Sequence, residues 1–211
     1  MDFSKFKCRF LSTERIRTKA EEFKSKHWPG NELPVDMERV IEDGLGLNII
    51  PVKELAAGYE IDAWLTSDMK SIMVDHDYYM DDRNRYERRL RFSFAHEIGH
   101  RVLHYDIISL MNFDKPELYY EFITKLPEKE YDKFEWQANE FAGSFLVPRS
   151  TLRDEVGKAV DRLRKIPRAA RMLEEEPWQI LSRLSPQLSE PFGVSEKVIE
   201  IRVQREKLWP L

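Results

Sequence analysis

The chain has 211 residues, 42% of them hydrophobic and 12% aromatic, enough apolar material for one substantial core or two small ones. Its 34 basic and 38 acidic side chains leave a formal charge of −4, which excludes a global field drawing the protein to DNA or to a membrane surface. The only cysteine, Cys8, excludes an internal disulfide framework and a thiolate metal cluster. With no signal-type or membrane-spanning apolar run, a cytoplasmic protein is expected.

Thr13 is a candidate N-cap for a first helix, with Ile16, Ala20, Phe23 and His27 at helical spacing before Trp28-Pro29-Gly30. A second, short helix fits Val35 to Asp43, with Gly44 suited to a left-handed C-terminal conformation. Leu47 to Val52 reads as a strand, and Ile61 to Thr66 and Ser71 to Asp75 flank Ser67-Asp68-Met69-Lys70 as a hairpin does. These predict a small antiparallel sheet of about three strands. Asp81 and Asp82 are N-cap candidates for a long helix running to about His104. Residues 105–126 carry no decisive period, whereas Tyr131, Phe134, Ala138, Phe141, Ala142 and Phe145 predict a helix from Glu128 to Leu146, closed by Pro148. Beyond Ser150 the pattern is helical and charged, with prolines at 167, 177, 186 and 191 separating short pieces. The expected fold class is α+β. Residues 1–149 are expected to form one domain, with N-terminal helices, and 150–211 a helical C-terminal region or lobe.

The chemistry is concentrated in His96-Glu97-Ile98-Gly99-His100. Residues four apart share one helical face, so both imidazoles can aim at one point. Two neutral imidazoles and one carboxylate suit zinc and leave a tetrahedral position for water. Glu97 follows the first histidine, where it can take a proton from that water and hand it to a leaving amine.

A third ligand must come from elsewhere. His104 lies about 12 Å along the axis from His96 and is expected at the helix end, near the negative end of the dipole. Asp106 stands where a metzincin-type third ligand falls, but that pattern needs a turning glycine where this chain has Leu103. In the downstream helix, advancing about 100° per residue from Tyr131 puts Glu135 at about 40°, inside the apolar stripe, and Glu140 near 180°, on the expected solvent side. A carboxylate on a buried face is costly unless paired or bound to metal, which singles out Glu135. Asn139 is placed to hydrogen-bond a ligating group. Gly99 suggests a close backbone approach, although packing of Phe92, Ala95 and Leu103 on the same side also accounts for it.

Arg91-Phe-Ser-Phe-Ala-His-Glu-Ile-Gly-His100, followed by Glu135-Trp-Gln-Ala-Asn-Glu-Phe-Ala-Gly-Ser-Phe-Leu-Val-Pro148, resembles the ImmA/IrrE family of metallopeptidases. The resemblance covers roughly residues 35–150 and extends loosely to Phe192-Gly-Val-Ser195. It implies a zincin-like domain in which His96, His100 and Glu135 hold one zinc ion and Glu97 is the base. It also implies a substrate class, helix-turn-helix repressors of the Xre type, cleaved in a bacterial, phage or mobile-element switch. The alternative is a zinc-containing sensor or anti-repressor that binds its partner without cutting it. For the oxyanion, Tyr78, Tyr79, Tyr105, Tyr131 and His76 are candidate donors.

Arginines 83, 85, 88, 89 and 91, and a second group at Arg162, Arg164, Lys165, Arg168 and Arg171, lie near acidic residues and lack aromatic interleaving. Direct nucleic-acid binding is not expected from them.

Overall fold

The computed structural model describes residues 6–30, 32–111 and 115–209. Contacts divide the chain into two compact units, one of Met1–Asn31 with Asp36–Phe145, the other of Glu32–Val35 with Leu146–Leu211. The fold is α+β, as expected.

In the first unit, helix α1 (Thr13–His27) starts one residue earlier than predicted: Ser12, not Thr13, is the cap and accepts the Arg15 N–H. The predicted second helix is a short turn, Met37–Arg39, running into a π-helical stretch, Val40–Gly44. The left-handed residue that leaves it is Gly46, at φ +63°, rather than Gly44.

The sheet has strands β1 (Asn48–Val52), β2 (Ala63–Leu65) and β3 (Ser71–Asp75) in the order β1-β3-β2. The β2–β3 pairing is antiparallel, as a hairpin requires, with Ala63 opposite Val74 and Leu65 opposite Ile72. The expectation of an all-antiparallel sheet is corrected by β1, which pairs with β3 in parallel, Asn48 opposite Ser71 through Val52 opposite Asp75. The cause lies in the connection: residues 53–62 hold a helical turn, Leu55–Tyr59, so β1 and β2 are not joined as neighbours. The central place goes to β3, whose Ile72 and Val74 are fully buried, while β2 takes the edge.

Helix α2 (Glu87–Leu103) packs on β2 and begins later than its predicted caps. Asp81 instead accepts the Arg85 backbone N–H at 2.8 Å and pairs with its guanidinium. Residues 105–126, unassigned from sequence, hold a helical turn, Tyr105–Ile108, and helix α3 (Pro116–Lys125), with Pro116 at its first position. Helix α4 (Glu128–Leu146) follows within its predicted bounds. Phe94, Ile98, Phe122, Phe134, Phe141 and Phe145 fill the core between these elements.

The second unit is helical, with α5 (Arg149–Arg164), α6 (Pro167–Glu175), α7 (Pro177–Ser189) and α8 (Glu196–Arg205). Pro167 and Pro177 start helices, but Pro186 lies inside α7 and does not end it. Leu152, Val156, Val160, Leu181, Leu188, Ile199 and Val203 form its core, and Arg202 and Glu206 make a buried ion pair at 2.7 Å, joined by Arg149. No helix among the described residues is long and apolar enough to cross a membrane.

Candidate functional site

Helices α2 and α4 cross at Gly99. A Cβ there would stand 3.0 Å from the Ala138 carbonyl oxygen and 3.2 Å from its Cα, so the glycine marks a true backbone approach. That approach brings the polar faces of the two helices together.

His96 and His100 direct their Nε2 atoms to within 2.9 Å of each other. Glu135 reaches both from α4, with Oε2 at 3.2 Å from His96 Nε2 and Oε1 at 3.4 Å from His100 Nε2. Glu135 Oε1 is buried and makes no hydrogen bond. A buried carboxylate whose two oxygens each face an imidazole nitrogen, one of them without a hydrogen bond, is a donor set suited to a divalent cation. The Glu97 carboxylate is also close, with a ligand atom within 4.8 Å of both histidines. It differs from Glu135 in being already engaged, since its Oε2 accepts the Leu65 N–H of β2 at 2.7 Å.

The electrostatics follow from this crowding. Burial disfavours the charged ring of His96, but the Glu135 carboxylate outweighs it and pushes His96 up to about 9. Burial pushes His100 down to about 4. Burial works against the Glu135 carboxylate, yet the two histidines hold it well below the usual carboxylate range. Burial raises Glu97 to about 7, against the pull of His96 and the Leu65 N–H.

Around these residues lies a cavity of ≈ 260 Å³ that includes Ile61, Asp62, Ala63, Phe92, Tyr119 and Tyr131 in its walls. Of the five candidate oxyanion donors, Tyr131 alone is among the lining residues. Tyr105 is exposed, Tyr78 stacks on Tyr86, and Tyr79 is raised to about 12 by burial and by Glu38 and Glu42. Burial, then Glu135, pushes Tyr131 up to about 12, so its hydroxyl keeps its proton at neutral pH. Tyr119 was missed by sequence reasoning because it belongs to α3, where no period was visible. It is buried, stacks on Trp64 with centroids 5.9 Å apart, and is also raised, first by burial and then by Glu97 and Glu135.

Asn139 is drawn into the site, its Oδ1 at 3.0 Å from His96 Nδ1. One expectation is corrected. Glu140, placed on the solvent side by rotation, is buried and pairs with Arg17 of α1 at 2.9 Å, because α4 is covered on that side as well. His104 does sit at the C-cap of α2, but it is buried and its Nδ1 meets His100 Nδ1 at 2.9 Å. Asp106 is exposed on the following turn. Two arginines of α2 are paired with acids, Arg89 with Asp62 and Arg91 with Glu87, and Arg85 ahead of the helix pairs with Asp81, in keeping with structural roles.

No individually curated protein matches the chain. Among solved structures it is similar to a Mycobacterium tuberculosis transcriptional regulator, with 16% identity and a TM-score of 0.47 over 92% of this chain and 52% of that one. The chain therefore spans about half the length of that protein. The family model described as the IrrE N-terminal-like domain, of the M78 peptidases, matches residues 66–204, a stretch that contains the two histidines, both glutamates and Asn139. On that match the chain belongs to the IrrE N-terminal-like peptidase family, in agreement with the ImmA/IrrE resemblance of its motifs.

Proposed function

We propose that this protein is a zinc-dependent endopeptidase that cleaves a helix-turn-helix repressor of the Xre type. The observation that carries the reading is the convergence of His96 Nε2, His100 Nε2 and the Glu135 carboxylate, whose Oε1 makes no hydrogen bond, with the Glu97 carboxylate beside them. His96, His100 and Glu135 would hold the ion. Bound there, zinc would polarise the scissile carbonyl and acidify water to a pKa of roughly 7.

The chain's own residues supply the rest. Glu97 Oε2 is fixed by Leu65 N–H, which leaves Oε1 to take a proton from water as the water oxygen attacks the carbonyl carbon. The same carboxyl returns that proton to the amine nitrogen as the C–N bond breaks. A carboxyl held near 7 serves both transfers at neutral pH. Tyr131 and Tyr119 keep their hydroxyl protons, and either can donate to the developing oxyanion from the cavity wall. The substrate class rests on the family resemblance.

The test is incubation with an Xre-type repressor encoded in the same locus, with and without chelator, followed by mass spectrometry. Cleavage abolished by chelator and restored by zinc is expected. Glu97→Gln should keep zinc and lose cleavage. Cleavage indifferent to chelation excludes the metal mechanism, and undiminished cleavage by Glu97→Gln removes Glu97 from it. Chelator-sensitive repressor binding without any cut favours the non-catalytic sensor.

A further inference from the structure

The two histidines that face Glu135 differ in what stands behind them. Behind His96 is an amide oxygen, Asn139 Oδ1. Behind His100 is a second imidazole, with His104 Nδ1 at 2.9 Å from His100 Nδ1. His104 in turn has its Nε2 at 3.9 Å from Cys8 Sγ. The thiol lies 3.7 Å from the Arg9 carbonyl, and Gln137 Nε2 lies 3.6 Å from the thiol while donating to that carbonyl at 2.9 Å. The Phe134 ring covers both imidazoles, at 4.2 Å from the His100 centroid and 4.3 Å from that of His104. His104, Cys8 and Gln137 are all buried, so bulk water does not substitute for any of these partners.

Counting protons fixes the directions. A neutral imidazole has one N–H and one lone pair, and a metal ligand offers the lone pair. For His100 to present Nε2, its proton must sit on Nδ1 and be donated to His104 Nδ1. His104 then carries its own proton on Nε2, facing Cys8 Sγ, and the thiol hydrogen is left for the Arg9 carbonyl. The reverse assignment would have His104 donate from Nδ1 and force the His100 proton onto Nε2, the atom that converges with His96 and Glu135.

The segment that carries Cys8 is fastened along α4, the helix of Glu135. The Cys8 N–H donates to Glu130 Oε2 at 2.8 Å, and Lys133 Nζ donates to the Cys8 carbonyl at 3.1 Å. Phe6 meets Phe134 edge-on, with centroids 6.1 Å apart. These bonds hold the thiol against His104.

We propose that His104 is a positioning residue for the metal centre, locking His100 into the tautomer that presents Nε2, with Cys8 as its own backstop. This rests on the reading that His96, His100 and Glu135 hold the ion. His104 is not a further ligand, because the nitrogen it turns toward His100 meets that ring on the side away from Nε2.

The experiment uses the full chain and two readouts: zinc affinity by competition with a chromophoric chelator, and the His100 tautomer of the metal-free protein from imidazole nitrogen shifts. His104→Leu, which removes the acceptor, is expected to weaken zinc binding roughly 10–100-fold and to free His100 from its Nδ1-protonated form. His104→Asn sets an amide oxygen where Nδ1 stood and is expected to restore both. Wild-type affinity with an unchanged tautomer in His104→Leu overturns the proposal, as does a loss that His104→Asn leaves unrestored, since that is loss of packing. Should His104→Leu not fold, the wild-type spectrum still decides: an Nε2-protonated His100 overturns the proposal. His100→Ala and Glu135→Gln separate the two levels. Undiminished zinc affinity in both sinks the ligand assignment and the proposal with it, whereas their loss beside an unaffected His104→Leu sinks the positioning role alone.

Discussion

Asn139 Oδ1 accepts from His96 Nδ1 at 3.0 Å, one helix bracing the imidazole of another. That bond requires the His96 proton on Nδ1 and so keeps Nε2 aimed at Glu135. Asn139→Ala should weaken zinc binding by roughly 10-fold or more, while Asn139→Asp, which keeps an acceptor, should lose less. Equal affinities for wild type and the alanine variant, in a chelator competition, would refute the brace.

Zinc uptake should release a proton. In the metal-free site His96 is raised to about 9 by Glu135, against burial, so at pH 7 its ring is charged and must deprotonate before it can ligate. Affinity should therefore rise with pH from 6 to about 9 and then level. Calorimetry in buffers of different ionisation enthalpy checks this directly, and a binding heat independent of buffer at pH 7 contradicts it.

Gly99→Ala should destabilise the fold. Alanine improves helix propensity by up to about 1 kcal/mol, but its methyl would press on backbone atoms of Ala138, which cannot swing aside as a flexible side chain can. Overpacking of this kind costs roughly 1–3 kcal/mol, so a fall in Tm is expected for the metal-free protein. A Tm equal to or above that of wild type means that the helices separate freely.

The Cys8 thiol should be inert in the folded protein at neutral pH. Burial, opposed by Lys133, pushes it up to about 11, so the thiolate is scarce. Alkylation by iodoacetamide should be slow at pH 7 and fast once the chain is unfolded. Linkage has a definite sign here. The folded state holds this proton more tightly than the unfolded state, so the contribution is intact below the unfolded value near 9 and is lost as pH rises toward about 11. Rapid labelling of native protein at pH 7 would show the thiol to be open.

What the sequence disclosed depended on regular spacing. His96 and His100 share a face because they are four apart, and Glu135 turns inward because Tyr131, Ala138 and Phe145 do. Strand order was not legible, since alternation says which face is buried and nothing about which neighbour pairs, hence the parallel β1. Glu140 misled because the rotation argument assumes one buried face, whereas Arg17 covers a second side of α4. Tyr119 gave no signal in an aperiodic stretch. Distance along the axis separates His104 from His96, but the direction in which a helix-end ring folds back is a matter of tertiary packing.

The Leu65 N–H that holds Glu97 has one more effect. It belongs to β2, the strand at the border of the sheet, where an uncommitted row of amides is a standing invitation to a foreign strand. By spending that amide on a carboxylate and laying α2 alongside, the protein blunts its own border against self-templated fibrils. Loss of the Glu97 side chain would thus leave a buried strand amide without its acceptor.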